Sequence, residues 1–270
     1  MHSKGSFHPK LQVGFTLVEL TIVMLIVSIL LAGVMMPLSL QMEVRRYADT
    51  KRSMDQINEA LIGFVLAKGR LPCPADPTLA DGVANAGVER AACAAAGTNV
   101  GVIPWVTLGV PETDEWGGRF TYRVTALFAD ATNTTAGCTL PATRINAVFA
   151  LCDSGDMNVK SRTTTDAYAL TNSTPPAPPA VFISHGKNGY GAYRSQGGAP
   201  SSMPAANTDE STNASLSSVN KTIFSREKID ATSPCSDTPG SAALCEFDDV
   251  VAWIPLTTLM NRMVIAGKLP

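Results

Sequence analysis

The 270-residue chain is poor in histidine, with 3 residues, and in aromatic residues, with 6%. It contains no G-x-S-x-G elbow, no H-E-x-x-H zinc motif and no G-x-x-x-x-G-K-[ST] phosphate loop. No cysteine pair has the C-x-x-C spacing that is typical of zinc sites. His185 is the one histidine beyond the first 14 residues, and its neighbour Ser184 would point to the opposite face of a strand. These absences argue against an enzyme, and no cofactor is expected.

Charge is also sparse, at 16% of residues, and mildly acidic overall. The formal net charge is −2 for the whole chain. The first 14 residues carry Lys4 and Lys10, so the rest of the chain is more acidic still. Because no basic stripe follows the chain, we do not expect a nucleic-acid partner.

One long apolar run dominates the N-terminal part of the chain. Between Glu19 and Glu43 no residue carries a formal charge. A bilayer core requires about 20 apolar residues as a helix, and a secretory signal has an apolar region of only about 7–15 residues. A charged side chain inside such a helix costs at least about 2.5 kcal/mol on insertion scales, so Glu19 is the first functional candidate.

The residues around Glu19 form a known pattern. Gly14-Phe15-Thr16-Leu17-Val18-Glu19, after a leader with two lysines, resembles the N-terminal signal of type IV prepilins and type II secretion pseudopilins. The resemblance implies that a prepilin peptidase cuts after Gly14 and that Phe15 becomes an N-methylated terminus. It also implies that Glu19 pairs with the Phe15 ammonium of a neighbouring subunit or of its own chain. Such a pair would offset the desolvation of both charges.

The function implied by this resemblance is a structural one, a minor pilin or pseudopilin rather than an enzyme. The subunit would lie in the bacterial inner membrane with its head in the periplasm, and then enter a pilus or pseudopilus filament. Its expected partners are other pilin or pseudopilin subunits, the prepilin peptidase, the inner-membrane assembly platform and membrane lipid. The alternative is a signal-anchored binding or adhesive domain that does not polymerise. Pilus or secretion system, and major, minor or tip position, stay open.

Two features bear on the predicted membrane segment. The positive-inside rule favours the opposite orientation by count, because the far flank carries four basic residues, Arg45, Arg46, Lys51 and Arg52. The processing signature and the cysteines nevertheless place the N-terminus in the cytoplasm. Gly33 and Pro37 should weaken the helix, either as a tolerated kink or, as in related fibres, by local melting on assembly.

The fold class expected is α+β, with a long N-terminal helix packed on a small antiparallel sheet and a short C-terminal helix. We predict four segments: a leader at 1–14, a transmembrane or fibre-core helix at 15–40, an amphipathic helix at 41–69 and a globular head at 70–270. The apolar stripe of the amphipathic helix contains Tyr47, Met54, Ile57, Leu61, Phe64 and Val65. Gly69 and Pro72 should end the helix.

Within the head, alternation and β-branched content predict strands at Arg119–Phe128, Ile145–Leu151, Val181–Ser184 and Val250–Ile254. Leu256, Leu259, Met260, Met263 and Val264 have the spacing of a closing amphipathic helix. The stretches 163–180 and 196–220 are low in complexity and are predicted to be exposed loops.

Two head segments extend the resemblance. Residues 114–122, D-E-W-G-G-R-F-T-Y, are similar to the turn that opens the pseudopilin sheet, and residues 181–189 are similar to the family's strand and S-x-G-x-N/D-G turn. Major pseudopilins bind Ca²⁺ near the last strand, where this chain has Asp248 and Asp249. The family's acidic D-G-x-x-G-G run appears here as Asn188-Gly189-Tyr190-Gly191, with its acid missing, so calcium is the less favoured interpretation. The favoured one is that both aspartates are solvated at a strand edge.

Six cysteines all follow the apolar run, which suggests disulfides in an oxidising compartment. Six cysteines allow 15 connectivities. Pairing of sequence neighbours closes the shortest loops and is the pairing we expect: Cys73 with Cys93, Cys138 with Cys152, and Cys235 with Cys245.

Overall fold

The structure is a computed structural model that describes residues 16–95, 97–130, 147–171, 176–202, 208–229 and 234–269, the side chains of 32–40 excepted. The described residues form five helices and seven strands. The helices are α1 Leu17–Lys68, α2 Trp105–Leu108, α3 Ala126–Ala129, α4 Thr208–Ala214 and α5 Leu256–Ile265. The strands are β1 Val100–Val102, β2 Thr121–Val124, β3 Asn158–Arg162, β4 Ala167–Ala169, β5 Ala180–Ser184, β6 Thr222–Phe224 and β7 Val250–Ile254.

The chain divides into two compact units, Met1–Arg45 and Arg46–Pro270. In the first unit, every large apolar side chain described between Leu17 and Leu31 is exposed, by 43% to 80%. Within the described residues, no helix combines the length and the apolar content required to cross a membrane. The predicted membrane segment includes 32–40, whose side chains lie outside that description.

The second unit begins with the C-terminal part of α1, which buries four of the six residues of the predicted apolar stripe. Met54, Ile57, Leu61 and Val65 are all buried. Tyr47 was predicted to belong to the stripe, but it is 38% exposed and lies outside the core. The helix ends where the sequence predicts, because Gly69 adopts a φ of 71° and its N–H bonds to the Val65 carbonyl at 2.7 Å.

A four-stranded antiparallel sheet, in the order β1-β2-β5-β7, forms the centre of the head. Its two faces are both covered, so the five residues of β5 are all buried. On one face, Ala180 and Phe182 belong to the main core with α1 and α5. On the other face, Val181 and Ile183 pack in a second apolar cluster with Met157, Val159 and Ile223. The alternation of side chains along one strand therefore joins two cores.

The second cluster lies under a three-stranded sheet in the order β4-β3-β6. In this sheet β3 is antiparallel to β4 and parallel to β6. The sequence did not predict it, because its strands have only three to five residues and lie in or next to stretches rich in Ser, Thr and Asn. Residues 163–180 were predicted to be an exposed loop, whereas they contain β4 and begin β5.

Three further predictions are wrong in detail. Arg119–Phe128 is a strand only at Thr121–Val124, and Ala126–Ala129 is a short helix. Within Ile145–Leu151, residues 147–151 form bends and turns instead of a strand, and 145–146 lie outside the described residues. The predicted loop 196–220 contains α4, of which Asp209, Glu210 and Asn213 are buried.

The last two elements agree with the sequence. Strand β7 has the predicted bounds, Val250–Ile254. Helix α5 buries Leu256, Leu259, Met260 and Met263, while Val264 is 41% exposed and lies off the apolar face.

Two of the expected disulfides are present, Cys73–Cys93 and Cys235–Cys245. Cys152 is also disulfide-bonded, and its expected partner Cys138 lies outside the described residues.

Candidate functional site

Three buried carboxylates come together at one end of the head. Glu210 lies on α4, while Asp248 and Asp249 immediately precede β7. One carboxylate oxygen of each lies within 4.8 Å of the others. Glu210 is fully buried and the two aspartates are each 6% exposed. The prediction that Asp248 and Asp249 are solvated at a strand edge is therefore wrong.

The turn after β5 supplies hydrogen bonds to this acidic cluster, which we define as Glu210, Asp248 and Asp249. The Asn188 N–H donates to Asp248 Oδ2 at 2.8 Å, and its Nδ2 lies 3.2 Å from both Glu210 oxygens. The Asp248 N–H donates to Glu210 Oε1 at 3.0 Å. The turn and the two acidic segments are thus joined through Asn188.

One oxygen of the acidic cluster has no partner. Among the described residues, Asp248 Oδ1 is buried and accepts no hydrogen bond. The turn makes room for it, because a Cβ on Gly186 would lie 2.7 Å from this oxygen. Burial, with the nearby charges of Glu210 and Asp249, raises the pKa of Asp248 to about 7. A buried carboxylate oxygen without a donor costs free energy unless a proton or a cation satisfies it.

Asp249 belongs to a hydrogen-bonded chain of side chains. Its Oδ1 lies 3.2 Å from His185 Nδ1, and His185 Nε2 lies 2.8 Å from Thr121 Oγ1. Its Oδ2 accepts from Asn213 Nδ2 at 2.8 Å. Burial by itself would lower the pKa of His185, but Asp249, Asp114 and Glu210 raise it above its ordinary value.

The Thr121–His185–Asp249 order resembles that of a hydrolase triad. Thr121 lies within the four-stranded sheet and is only 7% exposed, and His185 is fully buried. A substrate has no access to the threonine oxygen in this arrangement. We therefore interpret these hydrogen bonds as holding the Asp249 side chain in place. Both nitrogens of the neighbouring His185 are already engaged in hydrogen bonds. The ligands that the acidic cluster offers are therefore carboxylate oxygens.

The two head segments noted in the sequence, 114–122 and 181–189, meet beside these hydrogen-bonded side chains. Ser184 Oγ donates to Asp114 Oδ2 at 2.6 Å, and Asp114 Oδ1 accepts from the N–H groups of Trp116 and Gly118. Burial raises the pKa of Asp114 above its ordinary value. The turn at 114–118 is therefore attached to the end of β5.

Sequence reasoning missed Glu210, which joins Asp248 and Asp249 in the acidic cluster. Its partner Asp248 is 38 residues away, so no local pattern joins them. The available signal was the order Thr208-Asp209-Glu210, because Thr and acidic residues are typical of a helix start.

At the N-terminus, Gly14 and Phe15 lie outside the described residues. Glu19 is described, and it forms a capping box with Thr16. The Thr16 N–H and Oγ1 each donate to Glu19 Oε2 at 2.9 Å, and the Glu19 N–H approaches Thr16 Oγ1 at 3.3 Å. The carboxylate thus has a local partner at the first turn of α1.

Comparisons with family models, with curated proteins and with solved structures gave no match to this chain.

Proposed function

We propose that the protein is a filament subunit of the pilin or pseudopilin kind, cleaved after Gly14 and assembled through the N-terminal part of α1. The observation that carries the proposal is the sequence 14–19, followed by a helix whose large apolar side chains between Leu17 and Leu31 are exposed. Exposed apolar surface of this extent requires lipid or other apolar helices around it. Held in the inner membrane before assembly, residues 15–40 would exchange lipid for neighbouring subunits.

Processing can be tested by mass spectrometry of the full-length protein purified from its membrane in detergent. We expect a mass that corresponds to loss of residues 1–14 and addition of one methyl group on Phe15. Gly14→Val should leave the leader attached. An intact leader and an unmethylated Phe15 in the wild type would favour the alternative, an anchored domain that does not polymerise.

The role of Glu19 requires a variant that separates its charge from its capping bond. Glu19→Gln retains an oxygen for the Thr16 donors but removes the charge, because Gln also serves in a capping box. We expect both Glu19→Gln and Glu19→Ala to insert in the membrane and to be strongly depleted from filaments. If Glu19→Gln assembles like the wild type while Glu19→Ala does not, the role of Glu19 is capping and the charge pair is wrong.

A second candidate function, the binding of a divalent cation, is favoured by one specific observation. The buried, unpartnered Asp248 Oδ1 lies in a cluster of three carboxylates. The available ligands are oxygens, which Ca²⁺ and Mg²⁺ prefer, and Ca²⁺ accepts the less regular geometry. Such an ion would reduce the mutual repulsion of the three carboxylates and hold the turn, α4 and β7 together.

Calorimetric titration of the full-length protein with Ca²⁺ tests this function. The wild type should bind one ion, and Glu210→Gln and Asp248→Asn should bind it much more weakly. The exposed Glu227→Gln serves as the control for loss of a negative charge in the same part of the chain. Equal binding by all four proteins would place the ion elsewhere.

A further inference from the structure

The acidic cluster lies on two segments, which we call its arms: the start of α4, with Glu210, and residues 248–249 before β7. The loop closed by the Cys235–Cys245 disulfide connects these two arms. Asp237, within this loop, is 3% exposed. Its Oδ1 accepts from the Cys245 N–H at 3.1 Å and from Arg226 Nη2 at 3.0 Å. Its Oδ2 accepts from the Asp209 N–H at 3.3 Å. One carboxylate therefore bonds to the disulfide loop and to the start of α4.

Arg226 strengthens the same connection. Its Nη2 also donates to the Cys245 carbonyl at 3.1 Å, and its guanidinium lies 4.6 Å from the Phe247 ring centroid. Its Nε lies 3.1 Å from Asp209 Oδ2. The side chain of Arg226 is almost fully buried, and that of Asp209 is fully buried. Buried charge pairs of this kind hold their partners in one geometry, since separating them leaves a charge without compensation.

Asp209 is held from a second direction. Arg162 on β3 brings its Nε to 2.9 Å from both Asp209 oxygens and stacks on Phe224 at 4.8 Å. The start of α4 is thus connected to the three-stranded sheet as well as to the disulfide loop.

These contacts meet the acidic cluster at both of its arms. Glu210 directly follows Asp209, and Asp248 comes three residues after Cys245. Like charges at this separation repel each other, so the carboxylates stay together only if their backbones are held. The two arms bond directly where the Asp248 N–H donates to Glu210 Oε1.

We propose that the Cys235–Cys245 disulfide, acting through Asp237 and Arg226, is a clamp that sets the separation of Glu210 from Asp248 and so determines the cation affinity of the acidic cluster. Asp237 is a positioning residue, since it bonds to the backbones of both arms. The inference rests on the proposed cation site for its functional part. Its structural part, the position of Glu210 relative to Asp248, does not require the ion.

The test compares two clamp variants with two matched controls in the full-length protein. The clamp variants are Asp237→Asn and the double variant Cys235→Ala/Cys245→Ala. The controls are Asp153→Asn, another buried carboxylate that accepts a loop N–H, from Ala150, and Cys73→Ala/Cys93→Ala, which removes another disulfide. Calorimetry measures Ca²⁺ affinity. Amide hydrogen exchange at Asp248 and Asn188, in cation-free buffer, measures how firmly the bonds of these amides to Glu210 and to Asp248 hold the two arms together.

We expect both clamp variants to lose about 10- to 100-fold in Ca²⁺ affinity, the range for groups that orient metal ligands, while the controls stay close to the wild type. Exchange at the Asp248 and Asn188 amides should increase in the clamp variants and not in the controls. If the double-cysteine variant does not fold, Asp237→Asn, with its disulfide intact, makes the same comparison.

The outcomes separate the clamp from the cation site. Unchanged affinity and unchanged exchange in both clamp variants would overturn the clamp and leave the cation site standing. If the wild type binds no Ca²⁺ but exchange rises in both clamp variants, the cation site is wrong and the clamp's positioning role holds. Absence of both effects would contradict both.

Discussion

Asp156 and Asp248 are two carboxylates of the head that differ in what faces them. Asp156 receives two hydrogen bonds from the buried Arg123, at 2.7 and 3.0 Å, and lies 2.8 Å from Lys221 Nζ. Burial alone would raise its pKa, but Arg123, Lys221 and Thr125 lower the pKa to about 2. Among the described residues Asp248 forms no ion pair; two carboxylates lie beside it, and its pKa is raised to about 7.

Burial alone therefore does not decide the protonation state of a carboxylate in this protein. A fixed cation stabilises the charge of Asp156, and its bidentate pair is a structural bond. At Asp248 the protein supplies one backbone N–H and leaves the other oxygen buried. The first arrangement is complete within the chain. At Asp248 a proton or a cation from solution is needed to satisfy the buried oxygen. For this reason we propose the cation site there.

The largest expected effect is that of breaking the complete pair. Asp156→Asn leaves the Arg123 guanidinium buried without a counter-charge. We expect the free energy of unfolding to fall by about 3 kcal/mol, the lower end for a broken buried pair, because the Asp156 side chain is 28% exposed. Denaturant unfolding at neutral pH measures it. A loss below about 1 kcal/mol, the range of surface ion pairs, would show that the pair behaves as a surface contact.

The next effect is stabilisation by the cation. At a free Ca²⁺ concentration about 100 times the dissociation constant, the free energy of unfolding should rise by about 2.7 kcal/mol. Thermal unfolding with and without Ca²⁺ measures this gain. It should vanish in Asp248→Asn and persist in Asp156→Asn. Persistence in both variants would show that the ion does not use Asp248.

Lowering the pH should change the contributions of the two carboxylates to stability in opposite directions. Asp156 releases its proton more readily in the folded state, so its contribution is present above about pH 4 and is lost as pH falls toward about 2. Asp248 holds its proton more tightly in the folded state, so without a cation stability declines as pH rises from about 4 to about 7. The free energy of unfolding, measured across this pH range, tests both statements. Asp156→Asn should lack the fall in stability toward about pH 2, and Asp248→Asn should lack the decline from about pH 4 to about pH 7.

The smallest expected effect is a gain. In cation-free buffer at neutral pH, Asp248→Asn removes a buried negative charge but retains an oxygen for the Asn188 N–H. We expect the free energy of unfolding to rise, because the variant lacks the decline in stability between about pH 4 and about pH 7. A clear loss of stability would mean that the charge of Asp248 is already compensated within the folded chain, which would contradict the comparison.

The elements that sequence predicted best depend on neighbours along the chain. The end of α1 depends on Gly69, and α5 depends on apolar residues three and four positions apart. Strand β7 has a continuous apolar run with clear bounds. The three-stranded sheet escaped prediction because its short strands are stabilised by the Val181 and Ile183 face of β5, which no local pattern reveals.

The candidate site divides in the same way. Asp248 and Asp249 were singled out from their place before the last strand, yet their burial was not expected. Glu210, Asn188 and Asp237 were not singled out as site residues, because each acts through partners 22 to 60 positions away.

Spacing along the chain was enough to give the apolar run, the resemblance of Gly14–Glu19 to a prepilin signal and the order of helix and head, and it favoured the pairings Cys73–Cys93 and Cys235–Cys245 that the structure contains. That Asp156 forms ion pairs, while Asp248 forms none with the described residues, depends on how the chain folds. The physical reason is that the energy of a buried charge depends on the groups within a few ångströms of it, and folding brings those groups from distant parts of the chain.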